Sequence, residues 1–81
     1  MDPPGYDRRA IVVHVVPRNL RWEVEVDGLT RRMIDWLSTK ERAITHAVER
    51  ARELIENGRS DHALVVVERS DHQEETRIVV A

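Results

Sequence analysis

The sequence predicts an α+β fold, β-β-β-α-β-β, in which a single helix packs on one face of a five-stranded, mainly antiparallel sheet. Three observations predict it. Five short segments have strand-like patterns, some rich in β-branched residues and some alternating between apolar and polar residues. One longer segment repeats its apolar residues at helical spacing. The turns between neighbouring strands are short, which favours antiparallel hairpins.

The first predicted strand covers residues 11–16 and ends at Pro17. Both of its alternating sets are apolar, interrupted only by His14. A strand with two apolar faces is typical of the centre of a sheet that is covered on both sides. We therefore expect this strand to be central.

The second predicted strand, residues 21–26, alternates without exception. Its tryptophan and two valines should face the core, and the charged residues between them should face water. Asp27-Gly28 predicts a type I′ hairpin turn, because that turn needs positive φ at both central positions. A third strand follows at about residues 30–37, with Ile34 and Trp36 on one face and Met33 and Leu37 on the other.

Residues 39–57 form the predicted helix. Ser38 and Glu41 fit a capping box, and Asn57-Gly58 supplies a left-handed stop. Between these signals runs one continuous apolar stripe, made of Ala43, Ile44, Ala47, Val48, Ala51, Leu54 and Ile55.

Two further strands are predicted at residues 62–68 and 74–80, with a turn at residues 70–73. The fourth strand is apolar on both sides, as the first strand is. Placing these two strands next to each other gives the expected strand order 3-2-1-4-5.

At 81 residues the chain has room for one hydrophobic core. We expect a flexible N-terminal arm at residues 1–10 and a single domain at residues 11–81. The absence of cysteine excludes disulfides and thiolate chemistry. The apolar runs are too short to span a bilayer, and residues 1–5 do not resemble a leader peptide, so we expect a cytoplasmic protein with no membrane partner.

The chemistry-bearing residues do not form a recognisable catalytic or metal-binding pattern. The four histidines lack the i, i+4 spacing of a helical zinc motif, and His14 is best explained as a structural histidine. Ser70-Asp71-His72 contains three triad residue types, but consecutive residues form a turn and not a triad. We expect no enzymatic activity, no catalytic or metal-binding residue and no cofactor.

One helix covers only one face of a five-stranded sheet, so apolar residues of the central strands should be exposed on the other face. Such a patch usually has a partner, and a homodimer is the simplest one. The expected interface residues are Val12, Val16, Met33 and Val66, although the alternation leaves open which set faces the helix. Two alternatives are another protein partner and coverage of the patch by the arm through Tyr6.

Nucleic-acid binding is the second hypothesis. Arg18, Arg21, Arg31 and Arg32 lie in the predicted N-terminal hairpins and could contact phosphates. The net charge of −2 and the acidic residues interleaved with these arginines argue against it. Both tryptophans are expected on core faces, which would leave few aromatic surfaces for stacking bases.

Several motifs resemble those of a family of short bacterial proteins catalogued as domain of unknown function 2188. They are the strand His14-Val15-Val16-Pro17, the strand Trp22-Glu23-Val24, the helix start at Thr39 and the valine-rich segment 64–69. Two turns depart from the family pattern, because Asn19-Leu20-Arg21 lacks the usual glycine and Asp71 is followed by His72 instead of glycine. The resemblance implies the fold but brings no activity, substrate or catalytic residue.

Overall fold

The computed structural model describes residues 11–27, 33–69 and 73–80. They form the predicted β-β-β-α-β-β sequence of elements: β1 (Ile11–Arg18), β2 (Arg21–Asp27), β3 (Met33–Leu37), α1 (Lys40–Glu56), β4 (Ala63–Glu68) and β5 (Glu74–Val80). The expected arm at residues 1–10 lies outside the described residues, as do the Gly28 half of the predicted type I′ turn and most of the predicted turn at 70–73.

The five strands form one sheet in the order β3-β2-β1-β4-β5, as predicted. Three neighbouring pairs are antiparallel, and the central pair β1–β4 is parallel because α1 connects the two halves of the sheet. The register places Val13 beside Val26 on one side and beside Val65 on the other. The two strands with two apolar faces are therefore adjacent at the centre of the sheet.

The hydrophobic core lies between α1 and one face of the sheet. The helix presents small residues at intervals of four, Ala43, Ala47 and Ala51, followed by Leu54, and all four are buried. Alanine lets the helix axis approach the sheet closely, where it packs on fully buried valines of the central strands. The most deeply buried of these are Val13, Val15, Val24, Val65 and Val67.

The helix ends differ in how well they follow the prediction. Thr39 and not Ser38 is the N-cap, and its hydroxyl accepts the Arg42 N–H at 3.1 Å. The prediction of a capping box with Ser38 as the N-cap is therefore wrong, and the helix begins at Lys40, one residue later than predicted. At the other end Gly58 has a φ of 76°, and its N–H donates to the Ile55 carbonyl. The Arg59 N–H donates to the Leu54 carbonyl, which completes the predicted left-handed stop as a Schellman motif.

The turn between β1 and β2 consists of Asn19 and Leu20. Asn19 has a φ of 52°, a conformation that asparagine adopts more readily than most residues. This explains how the chain makes a tight turn here without the glycine that the family pattern has.

Candidate interaction surface

The face of the sheet opposite α1 is the candidate functional surface, and we call it the open face. The strand register assigns to it the even-numbered residues of β1, β3 and β4, the odd-numbered residues of β2, and Arg77 and Val79 of β5. The alternate residues of the same strands face α1 and pack in the hydrophobic core between the helix and the sheet. Nothing else in the described part of the chain forms a second layer on the open face.

Large apolar side chains are exposed on the open face. Trp36 is 48% exposed, Ile34 is 40% exposed and Val79 is 71% exposed. Val12 and Leu64 are half-buried and lie beside each other, and Leu64 in turn pairs with Val79. The result is an aromatic-aliphatic edge on β3 and an aliphatic row across β1, β4 and β5.

The four interface residues predicted from the sequence fall in three different environments. Val12 lies on the open face and is half-buried. Val16 and Val66 also lie on the open face, but they are already buried in the single chain, with 4% and 8% exposure. Met33 lies on the helix side beside Val26 and packs against the core, so its assignment to the same surface is wrong.

The sequence reasoning missed the most exposed apolar residues of the open face. Trp36 was expected on a core face, and this is wrong because β3 turns its even-numbered residues away from α1. The signal that could have found Trp36 and Ile34 was present in the alternation, which separated them from Met33 and Leu37. Choosing between the two sets required knowing which side the helix covers.

Trp36 lies under an arginine. The Arg21 guanidinium carbon lies 4.7 Å from the centroid of the Trp36 ring, a cation–π arrangement. Trp36 also pairs across the strands with Glu23, which is only 4% exposed although it was expected to face water. The Arg18 Nε–H donates to the Glu23 carboxylate at 2.9 Å, and this ion pair explains how a carboxylate is tolerated there.

His14 lies in the middle of the open face. Its Nδ1 is 2.9 Å from the Glu68 carboxylate, and its Nε2 is 3.9 Å from Asp27. On β5, Arg77 donates two hydrogen bonds to Glu74, at 2.9 Å and 2.7 Å. The polar side chains of the open face are therefore largely hydrogen-bonded to one another within one chain.

The arginines predicted to contact nucleic acid are only partly available in this arrangement. Arg18 is held by Glu23, and Arg21 stacks on Trp36. Arg31 and Arg32 lie outside the described residues. The two described arginines belong to one end of the open face, next to the β1–β2 turn.

A second polar cluster lies at the boundary between β3 and α1. The His46 Nε2–H donates to Asp35 Oδ2 at 2.8 Å, and an Arg50 N–H donates to the same oxygen at 3.3 Å. The hydrogen bond from His46 is the main cause of a lowered Asp35 pKa. Partial burial opposes the shift, and the nearby Arg50 charge reinforces it.

A shallow groove adjoins this cluster and is lined by Leu37, Glu41, Arg42, Thr45, His46 and Glu49. Its acidic and basic side chains are balanced in number. Within residues 11–27, 33–69 and 73–80, no three His, Cys, Asp or Glu side chains form a group that could hold a metal ion. None of the helices in this described part of the chain is long and apolar enough to cross a membrane.

A comparison with protein families identifies what the chain is related to. The model of a family described as uncharacterized proteins conserved in bacteria, domain of unknown function 2188, matches residues 13–79. The chain belongs to this family. Comparisons with curated proteins and with solved structures found no match.

The residues that resemble the family 2188 pattern have different structural roles. His14 lies on the open face, with Glu68 as its partner. Trp22 packs beside the helix-side core, where the Lys40 ammonium lies 6.0 Å from its ring centroid. Thr39 caps the helix. Of these three residues, His14 is the one whose side chain lies on the open face.

Proposed function

We propose that this member of family 2188 is a non-enzymatic protein-interaction module that acts as a homodimer through the open face of its sheet. The observation that carries the proposal is the exposure of Trp36, Ile34 and Val79 on the face opposite α1. Tryptophan and arginine are the residues most often found at energetic centres of protein interfaces, and here Trp36 and Arg21 are already stacked.

The basic side chains of the open face also support a protein partner, because several of them already contact a carboxylate of the same chain. Burying an unpaired charge in an interface is costly, whereas a charge that already has a partner can be covered more readily. Arg18, Arg77 and His14 each lie within 2.9 Å of a carboxylate oxygen of the same chain. The open face can therefore lose water without leaving these three basic groups uncompensated.

The proposal is tested by placing a charge on the exposed apolar edge of β3. We expect Ile34→Glu to convert the dimer to a folded monomer, because Ile34 is 40% exposed and its replacement leaves the helix-side core intact. The molar mass is measured by light scattering after size exclusion, and folding is checked by circular dichroism. Leu20→Glu is the matched control, since Leu20 is 95% exposed in the β1–β2 turn, and it should remain dimeric.

A dimeric Ile34→Glu variant would contradict the proposal, as would an unmodified chain that is monomeric at every concentration. If Ile34→Glu does not fold, Val79→Glu serves as a second variant, because Val79 is the more exposed of the two residues.

One observation favours nucleic-acid binding as a second candidate function. The half-exposed Trp36 ring beside Arg21 offers the aromatic and guanidinium surfaces on which unpaired bases stack. Binding of a fluorescent single-stranded oligonucleotide at low ionic strength, weakening steeply with added salt, is the expected result. Absence of a change in anisotropy at low salt would remove this candidate.

A further inference from the structure

The end of α1 carries a chemically reactive pair of residues. Asn57 is followed by Gly58, whereas the other asparagine of the chain, Asn19, is followed by a leucine. The side-chain carbonyl carbon of an asparagine can be attacked by the backbone nitrogen of the next residue. Glycine leaves that nitrogen open to reaction because it has no side chain. Asn57–Gly58 is therefore the pair in this sequence that is most prone to spontaneous deamidation.

This reaction exchanges an amide for a carboxylate, and water is its only co-reactant. The Gly58 backbone nitrogen gives up its proton and bonds to Cγ of Asn57. The bond from Cγ to Nδ2 breaks, and Nδ2 leaves as ammonia with the added proton. Water then opens the resulting five-membered imide at either carbonyl, which gives aspartate or isoaspartate at position 57. Both residues are exposed, so water reaches them.

The backbone at the end of α1 keeps the reacting atoms apart. Asn57 has a ψ of 7°, so the Gly58 nitrogen eclipses the Asn57 backbone nitrogen about the Cα–C bond. Since the substituents of Cα are spread evenly about this bond, Cβ of Asn57 is roughly a third of a turn away. Closing a five-membered ring needs Cβ and the Gly58 nitrogen nearly eclipsed. Rotation of the Asn57 side chain alone therefore cannot close the ring.

Hydrogen bonds hold the unreactive conformation in place. The Gly58 N–H donates to the Ile55 carbonyl at 3.0 Å, and this bond holds the proton that the reaction must remove. The Arg59 N–H donates to the Leu54 carbonyl at 2.9 Å. Rotating ψ of Asn57 would break both bonds of the Schellman motif. The reaction therefore requires the last turn of α1 to open.

A new carboxylate at position 57 would weaken the same turn. The C-terminus of a helix is the negative end of its dipole, and a negative charge there is unfavourable. The last turn of α1 has no basic residue to offset such a charge, and Glu56 already places a carboxylate beside it. The isoaspartate form also adds one carbon to the main chain, which disturbs the spacing of the Schellman hydrogen bonds.

We infer that Asn57–Gly58 is a spontaneous modification site that the end of α1 holds closed. While the last turn is intact, Asn57 persists. Each opening of the turn exposes Asn57 to deamidation, and the product favours the open state in which it formed. Because ammonia is released, the modified form accumulates with the time that the helix end spends open.

The rate of deamidation in the full chain tests whether the fold protects Asn57. The chain is incubated at mildly alkaline pH across a urea series, and peptide mapping by mass spectrometry follows the exchange of NH2 for OH. We expect position 57 to react at least about tenfold more slowly without urea than in the unfolded chain, because only the open helix end reacts. Asn19 in the same molecules should react more slowly than Asn57 once the chain is unfolded. Equal rates at position 57 in folded and unfolded chains would overturn the inference.

A matched pair of isoleucines distinguishes opening of the helix end from unfolding of the whole chain. Ile55 and Ile44 are both half-buried and pack against the core, but Ile55 lies in the last turn of α1 and Ile44 lies near its start. Ile55→Ala should speed deamidation of the folded chain about fivefold, whereas Ile44→Ala should change it little. Equal acceleration by both variants, or by neither, would contradict control by the last turn. Asn57→Gln, which cannot form the five-membered imide, is the unreactive control.

The effect of the product is measured separately with Asn57→Asp, which has the shape of the original side chain and the charge of the product. We expect this variant to lower the midpoint of thermal unfolding by about 2–6 °C at low ionic strength, and by less in high salt. An unchanged midpoint would show that deamidation does not weaken the helix end and would overturn that part of the inference.

Discussion

The two faces of the sheet carry different kinds of side chains although they share the same strands. On the helix side, valines of β1, β2 and β4 are fully buried under a row of alanines, and their packing holds the fold together. On the open face, the same strands carry hydrogen-bonded polar side chains toward the centre and large exposed apolar residues at the edges. The difference fits our proposal that the helix side holds the fold together and that the open face binds a partner.

This comparison also explains why β1 is apolar on both faces. Val13 and Val15 contact the helix-side core, whereas Val12 and Val16 lie on the open face. Val16 is buried even there, so it contributes to the stability of the single chain. Val12 is only half-buried and can contribute more on association.

The largest expected effect is on dimer affinity. Trp36→Ala removes an exposed aromatic ring from the open face, and we expect it to weaken the dimer by at least about 2 kcal/mol, roughly 30-fold in Kd. Sedimentation velocity over a concentration series measures the change. Leu20→Ala, an exposed apolar residue in the turn, should leave Kd unchanged, and an equal loss in both variants would contradict a specific role for Trp36.

A matched pair of valines separates the two faces by stability. Val65→Ala should lower the free energy of unfolding by about 2 kcal/mol, because it removes two buried carbons and leaves a cavity under α1. Val79→Ala should change the folding of the monomer by less than about 0.5 kcal/mol, since Val79 is largely exposed. Urea unfolding at concentrations below the dimer Kd measures both values. Equal losses would mean that the open face belongs to the folding core.

A smaller effect is expected at the start of the helix that covers the first face. Thr39→Ala should lower the free energy of unfolding by about 1 kcal/mol, because the hydroxyl that accepts the Arg42 N–H is lost. Ser38→Ala should cost less than about 0.5 kcal/mol. Thermal unfolding of the two variants side by side measures both losses of stability. A larger loss for Ser38→Ala than for Thr39→Ala would indicate that Ser38 is the N-cap.

The smallest expected effect concerns Asp35, at the border of the helix-covered face. His46→Ala should raise the pKa of Asp35 toward its usual value of 3.8, and Arg50→Ala should raise that pKa less, because the hydrogen bond from His46 is the main cause of the lowering. Carboxyl ¹³C NMR titration measures both. The reverse order would contradict the assignment.

The sign of the linked stability effect follows from the lowered pKa. The folded chain holds the Asp35 proton less tightly than the unfolded chain does, so this contribution to stability is present above pH 3.8 and is lost as the pH falls through the folded-state pKa. Asp35→Asn should therefore be less stable than the unmodified chain above pH 3.8. The difference in stability should disappear as the pH falls below the folded-state pKa of Asp35.

Much of the fold could be predicted because local patterns and global topology agree. The two strands with apolar residues on both faces identified the centre of the sheet, and Gly58 identified the end of the helix. The cap was misassigned because Ser38 and Thr39 are both good N-caps, and only the backbone conformation at Thr39, φ −132° and ψ 158°, selects between them.

The candidate surface was predicted less well, for a physical reason. Alternation divides each strand into two sets of residues but does not say which set the helix covers. Met33 and Trp36 were therefore assigned to the wrong sides, although their separation onto opposite faces was correct. The burial of Glu23 was also missed, because its partner Arg18 lies across the β1–β2 turn and the pairing depends on the strand register.

The most direct test of the central claim is the molar mass of the unmodified chain in solution, measured by light scattering across a wide concentration range. If the open face is an assembly surface for a second copy, the mass will rise from 9.5 kDa at high dilution to twice that value and stop there. A mass that stays at 9.5 kDa at every concentration would contradict the account, and a mass that keeps rising beyond the dimer would contradict a closed two-fold pairing.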